Sequence, residues 1–152
     1  QLLPESHVLL GLDAGSKKRV FEQAAQLFEN TSGIGAALVF DSLFAREKLG
    51  STGLGQGVAI PHGRIKGLKE AAGAFVRLKE PVPYEAPDGK PVSLIFVMLA
   101  PAHATDLHLQ ILSELAQLFS DKLIRDQLVT ISDPAEAWKL ISTWEPYAPD
   151  YC

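Results

Sequence analysis

The segment Val92-Ser93-Leu94-Ile95-Phe96-Val97-Met98-Leu99 is apolar at nearly every position. No other feature limits the fold so strongly. A strand with one wet face alternates polar and apolar residues, whereas a run that is apolar at both parities reads as a strand buried on both faces. Its longest uninterrupted apolar stretch, Leu94 to Ala100, falls far short of the roughly 20 residues a helix needs to cross a bilayer. Ala72 to Leu78, with Phe75 and Val76, reads as a second strand, and Val58 to Ile60 as a short third. Between them, Lys79 to Pro91 holds four prolines and an Asp88-Gly89 turn signal, so a loop or edge region is expected there.

Helical patterns flank these strands. Ser16 to Asn30 places Val20, Phe21, Ala24, Leu27 and Phe28 at helical spacing behind a capping serine. Ala37 to Leu49 reads as a second helix, stopped at Gly50. After Pro101 a long helix is expected from Thr105 or Asp106, with Leu107, Ile111, Leu112, Leu115, Leu118 and Phe119 as its stripe. Asp121 to Val129 reads as another. Asp133-Pro134-Ala135-Glu136 is a strong helix start, combining a cap, a first-turn proline and an acid. Helices early and late with strands between them predict an α/β fold, a three-layer sandwich with a mixed β-sheet flanked by helices. A chain of 152 residues, 47% of them hydrophobic, suits one domain with a real core. The expected extent is 1–145, with an irregular tail at 146–152.

Charge narrows the partners. The formal net charge is −4, and no basic stripe is visible. That argues against nucleic acid or an anionic membrane surface as a partner. The single cysteine, Cys152, allows no intrachain disulfide and no cysteine zinc cluster, in keeping with a reducing compartment. The first residues show no charged region followed by a long apolar core, so no secretory leader and no membrane insertion are expected, and a cytoplasmic location is predicted.

The chemistry concentrates near Gly50-Ser51-Thr52-Gly53-Leu54-Gly55-Gln56-Gly57, which leads through Val58-Ala59-Ile60-Pro61 to His62-Gly63. The glycine spacing does not match a dinucleotide fingerprint, it runs into a strand instead of a helix, and the lysine of a Walker loop is absent. A neutral imidazole is nucleophilic and titrates near 6.5, so His62 can take a phosphoryl group and give it up again. Glycine amides close by could meet the phosphoryl oxygens. A histidine that ends a strand and caps a turn fits the same residues.

Other candidates carry similar alternatives. His108 falls in the first turn of the predicted helix, near unpaired N–H groups and the positive dipole end; between Leu107 and Leu109 it also reads as a part-buried structural histidine. Arg46 precedes the glycine-rich run and can hold phosphate oxygens with a fork of donors, or simply be solvated at a helix end. Ser51 and Thr52 offer hydroxyls to an anion or to a turn. Asp13, Asp41 and Asp106 are carboxylates able to orient a histidine, and spacing does not choose among them. His103 could join His62 and His108 around a metal, but the 103–108 interval is not that of helical histidine motifs, and the metal reading ranks below the phosphoryl one. His7 has no evident partner.

Arg46-Glu47-Lys48-Leu49-Gly50-Ser51-Thr52-Gly53 followed by Gly55-Gln56-Gly57-Val58-Ala59-Ile60-Pro61-His62-Gly63 resembles the enzyme IIA domains of the mannitol/fructose class. These serve the bacterial phosphoenolpyruvate-dependent phosphotransferase system, and the likeness is strongest to the nitrogen-related branch. Ser16-Lys17-Lys18-Arg19, and Pro101-Ala102 followed by Thr105, His108, Leu109 and Leu112, extend it from about Val8 to Ile141.

The resemblance implies a mixed sheet between helical layers. It implies that His62 takes a phosphoryl group on Nε2 from a histidine of an HPr-type carrier. His108 would orient without being phosphorylated, and Arg46 would stabilise the phosphoryl oxygens. Ser51, Thr52, Gly53 and Gly63 are the expected remainder of the phosphoryl pocket, with no metal and no cofactor. Leu54, Ile65 and Leu68 are expected to contribute an apolar rim for the carrier. The implied role is a phosphorylation-state-dependent regulator of target proteins. The alternatives are a sugar-specific enzyme IIA that passes the group to an enzyme IIB, and a binding module that holds an anion or partner without turnover.

Overall fold

A computed structural model describes residues 2–103 and 105–145. Six strands form one mixed sheet among these residues: β1 (Val8–Leu12), β2 (Gly53–Gly55), β3 (Val58–Ala59), β4 (His62–Ile65), β5 (Ala72–Val82) and β6 (Val92–Pro101). Five α-helices accompany them: α1 (Lys17–Ser32), α2 (Ala36–Lys48), α3 (Thr105–Ser120), α4 (Lys122–Thr130) and α5 (Pro134–Thr143). The main order across the sheet is β1-β5-β6-β3-β2, with β4 also paired to β6. The antiparallel pair β5–β6 sets Phe75 opposite Phe96 and Val76 opposite Ile95.

Alternation along this pair divides the interior. Ala74, Val76, Ile95, Val97 and Leu99 face α1 and α2, where Val20, Phe21, Phe28, Val39 and Leu43 complete one core. Phe75, Leu94, Phe96 and Met98 face the opposite layer and meet Leu115, Phe119, Leu128 and Ile141. Residues of both parities are therefore buried, which is why the β6 segment carries almost no polar residue. The expected three-layer α/β architecture is what the chain adopts.

Local signals set several boundaries. Ser16 caps α1 by accepting from the Arg19 N–H at 3.2 Å. Asp121 and Asp133 cap α4 and α5 in the same way. Other boundaries differ from expectation. The segment read as loop from Lys79 begins as strand, because β5 continues to Val82 and re-pairs there with Val92 after a register irregularity. Pro81 is exposed within that irregular stretch, where a missing N–H costs no ladder bond. Strands β1, β2 and β4 were not expected from the sequence. The predicted tail, including Cys152, lies outside the described residues.

One edge of β6 positions the site. Strand β3 pairs in parallel with Leu94 and Ile95, and β4 in parallel with Met98 through Pro101. They lie end to end along the same neighbour, and the line breaks at Ile60-Pro61. The Pro61 carbonyl bridges the break by accepting from Met98 N–H at 3.0 Å. Helix α3 starts just beyond the end of β6, so its first turn arrives beside the start of β4.

Candidate active site

The glycine-rich run folds as a hairpin. Gln56 (φ 59°) and Gly57 (φ 79°) turn the chain between β2 and β3. Positive φ at both central positions is the turn that matches strand twist. Gln56 N–H donates to Asp88 at 2.9 Å. The hairpin ends at Ile60, and His62 opens β4.

The orientation of His62 follows from one bond. Its Nδ1 lies 2.8 Å from the Ile60 carbonyl oxygen. A carbonyl can only accept, so Nδ1 carries the ring proton and Nε2 keeps its lone pair. The orienting group is thus a backbone carbonyl and none of the aspartates considered from the sequence: Asp13, Asp41 and Asp106 are all exposed. His108, in the first turn of α3, is only 5% exposed. Its ring centroid lies 5.3 Å from that of His62 at an interplanar angle of 67°. Its Nδ1 is buried with no hydrogen-bond partner, an uncommon and costly state for a polar atom.

These two rings sit in a cleft of about 590 Å³ whose walls include Arg46, Gly63, Arg64 and Leu109. Arg46, in the last turn of α2, is steadied by donating from Nη1 to the Gly50 carbonyl at 2.8 Å. Burial holds His62 below its ordinary value of 6.5; the Ile60 carbonyl opposes this, the Arg46 charge adds to it and Glu47 opposes it. His108 is also held low, by burial first and then by the neighbouring charges of His62 and Arg64. Both rings are therefore predominantly neutral near pH 7.

The structure gathers His62, His108, Arg46 and Gly63 into this cleft. It uses the other expected pocket residues elsewhere. The Ser51 hydroxyl donates to the Tyr84 carbonyl at 3.0 Å. The buried Thr52 hydroxyl donates to Glu47 at 2.6 Å, so neither hydroxyl is aimed at the cleft. Gly53 is packed against Ala86, whose Cβ would lie 2.8 Å from an added Cβ. Gly63 likewise serves close packing of β4 on α2, since a Cβ there would lie 2.1 Å from Ser42 Oγ.

The apolar rim is also revised. Leu54 is exposed and lines an adjoining groove with Leu109 and Leu112, but Ile65 is buried and Leu68 packs on the α1–α2 core. Leu49 (85% exposed) and Leu109 (58% exposed) are large apolar side chains left open at the cleft.

Arg64 was missed by the sequence reading. It stands two residues beyond His62 on one strand and so shares its face, a signal that becomes usable only once 62–65 is known to be a strand. His103 lies in an exposed turn and does not line the cleft. His7 is buried and does not line the cleft, donating from Nδ1 to the Gly73 carbonyl at 2.9 Å. Among the described residues no cluster of His, Cys, Asp or Glu is arranged to hold a metal, and no helix is long and apolar enough to cross a membrane.

Residues 1–144 match the family model described as "Phosphoenolpyruvate-dependent sugar phosphotransferase system, EIIA 2". The chain belongs to this EIIA type-2 family. Among curated relatives, a protein named "Nitrogen regulatory protein" from Pseudomonas aeruginosa is 43% identical over 129 residues, covering 84% of each chain. Another of that name from Bradyrhizobium diazoefficiens is 37% identical over 139 residues, covering 91% of this chain and 90% of its own. The crystal structure of nitrogen regulatory protein IIA-Ntr from Neisseria meningitidis superposes with a TM-score of 0.88 at 58% identity, covering 92% of this chain and 96% of that one. The chain thus has the EIIA fold and is similar to the PtsN-like proteins named for nitrogen regulation.

Proposed function

We propose that this EIIA domain is a phosphocarrier. In this reading His62 Nε2 accepts a phosphoryl group from a phosphohistidine on an HPr-type carrier, and the charged and uncharged forms act differently on regulatory targets. The observation that carries the reading is the bond from His62 Nδ1–H to the Ile60 carbonyl. It supports Nε2 as the attacking atom, with its lone pair directed away from the anchored side of the ring.

The step is an in-line exchange between two nitrogens. The donor N–P bond breaks as the His62 Nε2–P bond forms, and the donor imidazole regains its lone pair. The His62 proton stays on Nδ1, where the Ile60 carbonyl stabilises the positive charge the ring acquires, much as a carboxylate does for a catalytic histidine in a triad. Arg46 supplies fixed positive charge for the equatorial oxygens of a loose transition state, and Arg64 stands on the same side. His108 packs against the His62 ring and limits its rotation. The exposed Leu49, Leu54 and Leu109 offer the carrier an apolar seat around the cleft. The names of the relatives at 37% and 43% identity favour the regulatory branch over sugar uptake.

The test is labelling from phosphoenolpyruvate through its kinase and an HPr-type donor. The native chain takes one label and His62→Ala takes none; full labelling of the Ala variant refutes the assignment. His108→Ala is expected to be labelled more slowly. Onward transfer of the label to a sugar-specific enzyme IIB would move the role to uptake.

A further inference from the structure

Glu47 is a buried carboxylate that the phosphoryl chemistry leaves unused. It follows Arg46 in α2, is 8% exposed, and does not line the cleft. Its oxygens are nonetheless fully engaged. Oε2 accepts from Lys17 Nζ at 2.9 Å and from the Thr52 N–H at 3.1 Å. Oε1 accepts from the Thr52 hydroxyl at 2.6 Å, with the Tyr84 hydroxyl at 3.5 Å. The Lys17 ammonium also lies over the Tyr84 ring, 4.5 Å from its centroid. Burying a carboxylate costs desolvation, and a set of donors this complete is what offsets it.

What Glu47 fixes leads to the nucleophile. The Thr52 carbonyl accepts from the Ile60 N–H at 3.0 Å. The Ile60 carbonyl in turn accepts from His62 Nδ1–H at 2.8 Å. Ile60 is thus held at both of its backbone groups, one leading back to Glu47 and the other to the ring. It stands where the β3–β4 line is broken, so ladder pairing does not set the direction of its carbonyl. Pro61, which follows, has no N–H to add another anchor.

We propose that Glu47 is a positioning residue for His62, acting through Thr52 and Ile60 to hold the carbonyl that keeps the ring proton on Nδ1 and leaves Nε2 nucleophilic. Lys17 completes the device from α1 by fixing the carboxylate. The inference rests on the phosphocarrier reading of His62 and names a residue that never touches the phosphoryl group.

The experiment reads the imidazole directly. Full-length protein with nitrogen-15 histidine is examined by NMR in the unphosphorylated state, with no donor present, and the ring nitrogen shifts report where the proton sits. The native chain is expected to show the Nδ1–H form alone. Glu47→Gln keeps the shape but turns an acceptor into an amide donor facing Thr52 and Lys17, and is expected to give a mixture of tautomers. Its single-turnover transfer rate is expected to fall about tenfold to a hundredfold, as for a misplaced reacting group, with the donor concentration for half-maximal rate unchanged.

Lys17→Gln, at the more open end of the network, is expected to shift the tautomer in the same direction by less, and decides the matter if Glu47→Gln does not fold. Glu85→Gln removes only the exposed carboxylate that Lys17 also meets at 3.2 Å, and is expected to change neither readout. A native tautomer and rate in Glu47→Gln, or a native tautomer in Lys17→Gln when the other cannot be purified, overturns the proposal. An equal shift in Glu85→Gln does so too, since it would mean general electrostatics instead of this bonded path. Failure of the native chain to be labelled would refute the phosphocarrier reading instead, and the donor-free tautomer measurement keeps the two apart.

Discussion

Gly63→Ala tests the closest contact behind the site. Gly63 lies on β4 against α2, and its φ is not in the left-handed region, so alanine meets no backbone strain there. In open space the change would stabilise the chain by about 0.4–1 kcal/mol through the unfolded state. Here the new Cβ would lie 2.1 Å from Ser42 Oγ, 3.0 Å from its Cβ and 3.2 Å from its backbone carbon. Rotating the hydroxyl away relieves the first contact but breaks its bond to the Arg64 carbonyl at 3.1 Å, a loss of about 1 kcal/mol. The other two atoms belong to the helix itself, and forcing them apart costs about 1–3 kcal/mol.

The net expectation is a loss of about 1–3 kcal/mol, which lowers the melting midpoint by about 2–12 °C in a chain of this size. Urea denaturation of Gly63→Ala, Ser42→Gly and the double variant measures it. In the Ser42→Gly background the two closest atoms are gone, so the alanine should cost under about 1 kcal/mol, or stabilise, and the coupling should exceed about 0.5 kcal/mol. A neutral or stabilising Gly63→Ala in the native background would refute the packing of β4 on α2 described here. The same displacement would carry His62 away from Arg46, so labelling should slow in the single variant and recover in the double.

Burial holds both His62 and His108 below 6.5, so protonation favours the unfolded chain; stability should be level above about pH 6.5 and fall as pH drops through that value toward the lowered folded values. Denaturation midpoints from about pH 7.5 to about pH 5 check this, and the His62→Ala, His108→Ala pair should flatten the slope. Asp133→Ala removes the bond to the Ala135 N–H at 3.0 Å and should cost about 1 kcal/mol in the same assay. Phe96→Ala, at a fully buried position packed against Phe119 of α3, should cost about 3–5 kcal/mol.

Much of the scaffold is legible because its causes are local. Ser16, Asp121 and Asp133 announce their helices through side-chain oxygens that reach N–H groups two or three residues on. The doubly apolar run at Val92 to Leu99 announces a covered central strand. Strands β1, β2 and β4 escape because segments of three to five residues are too short to show a period. They are strands only because a neighbour supplies their hydrogen bonds. Lys79 to Val82 escapes for the same reason, its proline signal being overridden by pairing with β6.

The glycine-rich approach to His62, with Arg46 ahead of it, marks in sequence where chemistry is to be sought, because close backbone approach and a reactive imidazole are properties of residue type. Residue spacing alone did not choose which groups would surround that imidazole; His108 and Arg46 were expected there only through the family resemblance. His62 and His108 meet because β4 lies parallel to β6 and α3 starts where β6 ends, a consequence of pairing between segments far apart in the chain. Ser51 and Thr52 could have faced an anion; the fold commits them to Tyr84 and Glu47. The proton on His62 is placed by the Ile60 carbonyl, whose direction depends on a strand break and a buried carboxylate on another element. Residue types and local caps are therefore set by sequence, and the geometry of attack is set by contacts that only the packed sheet brings together.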